Sequence, residues 1–320
     1  MFPHPAIGIV VLQVTAAAPI RWTRVDGEGP PARIISALAP DPSSGHLLLF
    51  GGDRFRSAPI GDTWEFDGVH WRQVDSTGPV PRYGHGAVGA AAWGGVVIFG
   101  GYNKRDTLHA DLWVRRPGGW DRLTPEPGGS APAPRRSPGA AFDIDRERLV
   151  INNGFGGLGR DQAHVFHADT WEFDGRRWSL AARDGPEPRY GNAMIYDPVR
   201  KVVLLFGGND HADHIYGDTW TWDGKRWSRL DVTGPSRRGG AQLVWDPDGL
   251  RVILFGGFAR DSVYTDVWGW NGREWSRLPS EGGPELIFPV MSYHAASRRL
   301  VLVGQRQGGA EVETWVAPLR

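Results

Sequence analysis

The sequence predicts an all-β fold, a six-bladed β-propeller whose blades are four-stranded antiparallel sheets. Three observations favour it: two tryptophan series that recur in phase, an apolar run ending in paired glycines, and strand-like segments joined by tight turns. The chain has 320 residues, with 16 Trp and 45 Gly. A single four-stranded sheet cannot bury both of its apolar faces. Six such sheets stacked around an axis can bury these faces against their neighbours.

The two tryptophan series give the repeat its period. The first five members of the second series each precede the next member of the first by seven residues, and first-series members are 49, 49, 58, 49 and 48 residues apart. Residues that recur once per blade at fixed positions predict packing between blades rather than stacking on a ligand. The first series is Trp22, Trp71, Trp120, Trp178, Trp227 and Trp275, and the second is Trp64, Trp113, Trp171, Trp220, Trp268 and Trp315.

Repeat four illustrates the strands within one period. Strand-like segments occupy residues 192–196, 201–206, 219–222 and 227–230. The glycine pair follows the second segment, and Asp223-Gly224 between the last two predicts a two-residue type I′ hairpin. Repeats three and six depart at the glycine pair, with Asn153-Gly154 and Gly304-Gln305.

The two ends of the repeat region complement each other. The sixth repeat stops after its third strand, around Thr314–Val316, whereas Trp22–Val25 is a fourth strand without a blade. Pairing the two would close the ring and remove exposed edges, so residues 22–320 form one propeller domain. Residues 1–21 contain the apolar run Ala6–Val14, too short to span a membrane, and are a leader or a possible export signal. The compartment, cytoplasmic or exported, stays open.

Composition excludes several functional classes. The 36 basic and 36 acidic side chains balance, so nothing indicates binding to nucleic acid. Without cysteine there is no disulfide framework, Cys-ligated zinc or thiol nucleophile. The sequence also lacks a Gly-x-Ser-x-Gly motif and a phosphate loop, so we interpret the chain as a non-enzymatic binding protein and as a monomer.

The three recurring markers resemble a known repeat. An apolar run ending in Gly-Gly, followed by Asp-x-Trp and seven residues later by another Trp, is similar to the kelch repeat over Trp22 to Arg320. The resemblance implies a six-bladed propeller related to galactose-oxidase-like and kelch-like proteins. The Tyr-Cys copper site of galactose-oxidase-like propellers has no counterpart, because cysteine is absent.

Alternation of strand direction places the loops between strands two and three, and between strands four and one, on one face of the propeller. We name this the long-loop face, and repeat three carries insertions in both of its loops there. Enlarged loops on a rigid scaffold commonly hold binding residues, so blades three and four are expected to contact a protein partner or a small polar or acidic ligand. The candidate ligand-binding residues are Arg135, Arg160, Asp161, His164, His167, Arg189, Asp210, His211, Asp213, His214 and Tyr216.

The histidines of these loops also allow an alternative. Imidazole and carboxylate groups bind transition metals, so a divalent transition metal is a possible cofactor, and no other cofactor is indicated. Such a site would support a metal-dependent lyase or epimerase instead of a binding protein. The candidate metal ligands are His164, His167, His211 and His214.

An arginine series and an acidic series run in phase at the same face. Inter-strand pairing within each blade and presentation of the guanidinium groups to an acidic ligand both explain the pattern. Blade six has Leu286 in place of its arginine, so Glu313 is expected to lack a mate. The arginines are Arg33, Arg82, Arg135, Arg189 and Arg238, and the acids are Asp62, Asp111, Asp169, Asp218, Asp266 and Glu313.

Overall fold

The structure is a computed structural model that describes residues 18–54, 58–103, 107–158, 164–210, 214–260, 262–306, 308–309 and 311–319. Its strands form the six four-stranded antiparallel sheets that the repeats predict. Within these ranges no helix is long and apolar enough to cross a membrane.

The first half of the chain forms blades one to three, preceded by two short strands. These are β1 (Ile20–Arg21) and β2 (Thr23–Val25). Blade one contains β3 (Ala37–Pro40), β4 (Leu47–Phe50), β5 (Thr63–Phe66) and β6 (Trp71–Asp75). Blade two contains β7 (Gly86–Ala90), the 3-10 helix Ala91–Trp93, β8 (Gly95–Phe99), β9 (Leu112–Arg116) and β10 (Gly119–Leu123). Blade three contains β11 (Gly139–Asp143), β12 (Arg148–Asn152), β15 (Thr170–Phe173) and β16 (Trp178–Ala182), with the hairpin β13 (Phe155–Leu158) and β14 (His164–Phe166) in its long loop.

The second half forms blades four to six. Blade four contains β17 (Ala193–Asp197), β18 (Val202–Asn209), β19 (Ile215–Trp222) and β20 (Trp227–Leu230). Blade five contains β21 (Gln242–Asp246), β22 (Arg251–Phe255), β25 (Val267–Trp270) and β26 (Trp275–Leu278), with the hairpin β23 (Phe258–Ala259) and β24 (Ser262–Val263) in its loop. The strand β27 (Ser280–Glu281) precedes blade six, which contains β28 (Ile287–His294), β29 (Arg299–Gln305) and β30 (Val312–Pro318).

The N-terminal segment completes blade six. Strand β2 pairs antiparallel with β30, in a register that places Thr23 opposite Val316 and Val25 opposite Thr314. The predicted closure is therefore confirmed. The preceding strand β1 pairs in parallel with β27, and Ile20 is buried against blades five and six.

The first strand of each blade lies innermost and surrounds a central channel. Each of these strands contacts the first strands of both neighbouring blades, including β28 with β3 across the closure. Just before the innermost strands of blades one to five the chain adopts a positive φ. Backbone hydrogen bonds run from blade to blade at these positions: Gly84 N–H to Ile35 C=O at 3.0 Å, Ser137 to Gly84 at 2.5 Å, Gly191 to Ser137 at 3.1 Å and Gly240 to Gly191 at 2.8 Å. These bonds tie blades one to five together at the long-loop end of the channel.

The glycine pairs make the next contact between blades. Gly51 has a φ of +66°, and a Cβ atom at this position would lie 2.5 Å from the carbonyl oxygen of Arg82 in the next blade. The N–H of Gly52 donates to that same oxygen at 2.9 Å. A side chain would therefore prevent both the backbone conformation and the approach of the next blade.

The first-series tryptophans join neighbouring blades as predicted. The indole N–H of Trp120 in blade two donates to the Thr63 hydroxyl of blade one at 2.9 Å, and Trp71 reaches Thr314 of blade six at 2.8 Å across the closure. Trp227 and Trp275 make the equivalent bonds at 2.8 and 3.0 Å. The indoles therefore supply both apolar area and directional bonds at the seams.

The predicted two-residue hairpins are wrong. Four residues separate β19 from β20, and the Asp223 N–H donates to the Arg226 carbonyl at 3.4 Å. The Asp223 carboxylate accepts the N–H groups of Lys225 and Arg226, each at 2.8 Å. This side-chain turn leaves only Gly224 with a positive φ, whereas a type I′ turn needs two such residues.

Candidate functional site

Three β-hairpins rise from the long-loop face in adjacent blades. They are β13–β14 in blade three, the outer ends of β18 and β19 in blade four, and β23–β24 in blade five. In blade four, β18 extends to Asn209 and β19 begins at Ile215, beyond the segments that the sequence predicts. The loops that carry the candidate residues are thus built on paired strands.

The arginine series lies inside the blades beneath these loops. Arg82 is 0% exposed, and its guanidinium donates two hydrogen bonds to the Asp111 carboxylate at 2.6 and 3.0 Å. It also donates to the carbonyl oxygens of Val80 and Gly100, each at 3.0 Å. The same bidentate pairing joins Arg33 to Asp62, Arg135 to Asp169, Arg189 to Asp218 and Arg238 to Asp266. Of the two explanations for the arginine series, the structure shows inter-strand pairing with the acids within each blade.

Arg135 and Arg189 consequently do not reach a ligand directly. Both side chains are 0% exposed and face protein acceptors. Their predicted role as contact residues is replaced by a structural one, since they hold the loops of blades three and four to the strands.

The second-series tryptophans belong to the same arrangement. The indole N–H of Trp113 donates to the second carboxylate oxygen of Asp111 at 2.8 Å, and each of the other five tryptophans contacts the acid two residues before it in the same way. Burial alone would raise the pKa of Asp111, but the hydrogen bonds and charge of Arg82 hold it below its usual range. The ion pair is thereby kept charged.

Blade six uses a different arginine. Glu313 accepts a hydrogen bond from Nε of Arg306 at 2.9 Å, and Arg24 Nη1 lies 3.7 Å from it. The expectation that Glu313 lacks a mate is wrong, because Arg306 comes from the loop of the same blade rather than from the missing position. Leu286 fills that position and is 2% exposed.

Aromatic rings cover two of the buried guanidinium groups. The Cζ atom of Arg189 lies 3.6 Å from the centroid of Tyr216, and that of Arg238 lies 3.8 Å from Tyr264. His167 has the corresponding sequence position in blade three, two residues before Asp169, and burial followed by the Arg135 charge lowers the pKa of its imidazole. Tyr216 and Tyr264 therefore support these ion pairs by cation–π contact.

The remaining candidates fall into two groups. His214 stacks on Tyr216 with ring centroids 4.4 Å apart, and its backbone N–H donates to the Asp210 carboxylate at 3.1 Å. His164 lies on β14 in the other hairpin, exposed, with its ring 5.7 Å from Phe155. Arg160, Asp161, His211 and Asp213 lie outside the described residues.

The described part of the chain contains no group of three His, Asp or Glu side chains placed to hold one metal ion. One member of the predicted ligand set, His211, is not among the described residues. The metal site stays a prediction.

A cluster that sequence reasoning missed lies between blades two and four. The Arg136 Cζ atom lies 4.6 Å from the Phe155 centroid and 5.8 Å from that of Tyr102. Among the described residues Arg136 has no carboxylate within ion-pair distance, and its side chain is half-buried. We name this set the aromatic–arginine cluster, and it comprises Tyr83, Tyr102, Arg136, Phe155, Phe166 and Tyr190.

The cluster is assembled by paired backbone positions. Tyr83 bridges to Tyr102, and Arg136 bridges to Phe155, so their side chains lie next to each other. The rings of Tyr83 and Tyr102 meet edge to face at 5.5 Å, and Phe166 stacks with Tyr190 at 5.8 Å. A sequence signal exists, because Tyr83, Arg136 and Tyr190 each directly follow an arginine of the series.

A groove of about 870 Å³ lies in blade four, along β19 and β20. It is bordered by Tyr216 and His214 and carries charges of both signs from Glu187, Arg229 and Arg237. Its floor includes Leu230 and Val232, so a ligand here would meet apolar surface framed by charges.

Comparisons with known proteins agree with this architecture. The family model described as the KLHDC2/KLHL20/DRC7 Kelch-repeats domain matches residues 11–181. No curated protein sequence matches the chain. The solved structure of YjhT superposes with a TM-score of 0.66 at 15% identity, over 90% of this chain and 95% of that one, which is a likeness of fold. With its six closed blades, phased tryptophans and glycine pairs, the chain belongs to the kelch-repeat family.

Proposed function

We propose that this propeller is a binding protein that recognises a partner protein with its long-loop face, centred on the aromatic–arginine cluster. The kelch-repeat fold fits a protein-interaction role. The observation that carries the finer assignment is Arg136, a half-buried guanidinium held against Phe155 and Tyr102 without an ion-pair partner among the described residues.

Aromatic residues and arginine are the side chains that most often dominate binding energy at interfaces. Tyr and Phe bring large contact area at low cost in side-chain entropy, and a preorganised guanidinium adds a charge-assisted bond to a carboxylate. The hairpin that carries Phe166 and the groove beside Tyr216 extend this surface outward over blades three and four. The partner segment is therefore expected to combine an acidic side chain with an adjacent apolar or aromatic one.

The test is a selection from a random peptide library on the immobilised full-length chain, followed by titration of the enriched peptides. The Arg136→Glu variant reverses the charge at the centre of the cluster and should weaken their binding by at least about tenfold, in line with loss of a charge-assisted contact. Arg72→Glu is the matched control, because Arg72 is 73% exposed on the outer edge of blade one. Peptides that bind both variants as tightly as the original chain would show that the cluster is not the binding site.

A further inference from the structure

A second cavity lies on the propeller axis, away from the aromatic–arginine cluster. It has a volume of about 520 Å³ and is lined by the innermost strands of all six blades. Small side chains such as Ala37, Ala87 and Ala140 leave the space open. Among the described residues that line it, none is Asp, Glu, Lys or Arg. A charged ligand would therefore lose its hydration without gaining a counter-charge.

The channel is open to solvent at the opposite face, which we name the short-turn face because it carries the turns between strands one and two and between strands three and four. Pro40, Ile144, Pro247 and Ala295 line that end and are exposed, with Ile144 at 53%. At the other end the lining residues are buried or half-buried, beneath the backbone hydrogen bonds that join Gly84, Ser137 and their counterparts in blades one to five. A ligand would therefore enter the channel from the short-turn face.

The closed end of the channel holds two polar side chains that no protein atom satisfies. His85 is 7% exposed and Asn192 is 6% exposed, and both line the cavity. Within the described residues, neither imidazole nitrogen of His85 and neither amide atom of Asn192 has a hydrogen-bond partner. Burial, followed by the charge of Arg82, lowers the pKa of His85 to about 3, so this imidazole is neutral. Buried polar groups are almost always paired, so such a pair indicates a partner that comes from the cavity.

We propose that the axial channel binds an uncharged small molecule that has an apolar body and one neutral hydrogen-bonding end. The apolar body lies among the alanines of the innermost strands, and the polar end reaches His85 and Asn192. The size of the channel is within the range of small-molecule sites. This site is separate from the long-loop surface and does not depend on the proposed partner binding.

The experiment uses N-phenyl-1-naphthylamine, an uncharged fluorescent probe with one N–H donor, titrated into the full-length chain. Its anionic relative 1-anilinonaphthalene-8-sulfonate is the charge control. We expect saturable binding of one N-phenyl-1-naphthylamine per chain, and binding of the sulfonate weaker by at least about tenfold, because the channel offers no cation.

Two variants locate the probe. Ala140→Leu fills the channel and should weaken binding by about tenfold, and Asn192→Leu removes one polar partner and should weaken it by about threefold. Gln305→Leu is the matched control, because Gln305 is a buried amide with an unpaired oxygen that does not line the channel. It should leave the affinity unchanged.

Circular dichroism verifies that each variant is folded. Absence of saturable binding, equal affinity for the two dyes, or unchanged affinity in both Ala140→Leu and Asn192→Leu would overturn the proposal and leave the channel as a water-filled space.

Discussion

Replacing Arg82 by methionine tests the assignment of the arginine series to structure. The side chain is 0% exposed and donates four hydrogen bonds, two to Asp111 and two to the carbonyl oxygens of Val80 and Gly100. Methionine fills a similar volume but leaves the Asp111 carboxylate and both carbonyl groups without these donors. Removing one partner of a buried ion pair costs about 3–5 kcal/mol, and we expect a loss of this size in the free energy of unfolding.

The control pair separates this effect from loss of charge. Arg72 donates to Glu65 at 3.1 Å but is 73% exposed, so Arg72→Met should cost at most about 1 kcal/mol. The double variant Arg82→Met/Asp111→Leu removes the unpaired carboxylate as well and should recover much of the loss. Urea denaturation followed by tryptophan fluorescence measures all four proteins. A cost below about 1 kcal/mol for Arg82→Met would refute the reasoning, because it would mean that the pair is not structurally important.

Three further predictions concern pH, closure and metal. His85 is neutral in the folded chain and protonates in the unfolded chain near pH 6.5. Its contribution to the free energy of unfolding is therefore fully present above pH 6.5 and is lost as the pH falls towards its folded pKa of about 3. In urea denaturation, the free energy of unfolding should therefore fall by about 3 kcal/mol less in the His85→Phe variant than in the original chain between pH 7 and pH 4. Deleting residues 1–25 removes β1 and β2, exposes the edge of β30 and should lower the melting temperature and broaden the transition in calorimetry. If the alternative metal hypothesis holds, elemental analysis after reconstitution will find a transition metal that is lost when His164, His167, His211 and His214 are changed to alanine.

The outcomes that would contradict these predictions are specific. His70→Phe is the control for His85→Phe, because His70 is 79% exposed, and equal pH profiles for the two variants would refute the role of burial. A shortened chain that melts like the intact one would contradict closure by β2. Metal retained by the alanine variant would exclude these histidines as its ligands.

The repeats predicted the fold well because each blade uses the same contacts. Gly51 is glycine because a neighbouring carbonyl leaves no space for a side chain, and Trp120 recurs because it donates to Thr63 of the preceding blade. Because the same contact recurs from blade to blade, the residues that make it recur at a regular spacing, and this period is visible in the sequence. The pairing of β2 with β30 follows from counting the strands of the six repeats.

The site was less predictable because its contacts do not follow the repeat. Arg306 replaces the missing arginine of blade six from a loop that no phase relation identifies. Likewise Arg136 and Phe155 meet through an isolated bridge between two loops. The Asp223 turn was predicted wrongly because Asp-Gly also fits a loop in which the carboxylate binds backbone N–H groups.

Hydrogen–deuterium exchange of the full-length chain, with and without an enriched peptide, tests the central claim most directly. Binding at the aromatic–arginine cluster predicts slower exchange in residues 100–103, 135–138 and 154–158, and no change in the turns 143–148, 197–201 and 246–251 of the short-turn face. Protection confined to those turns would contradict the account.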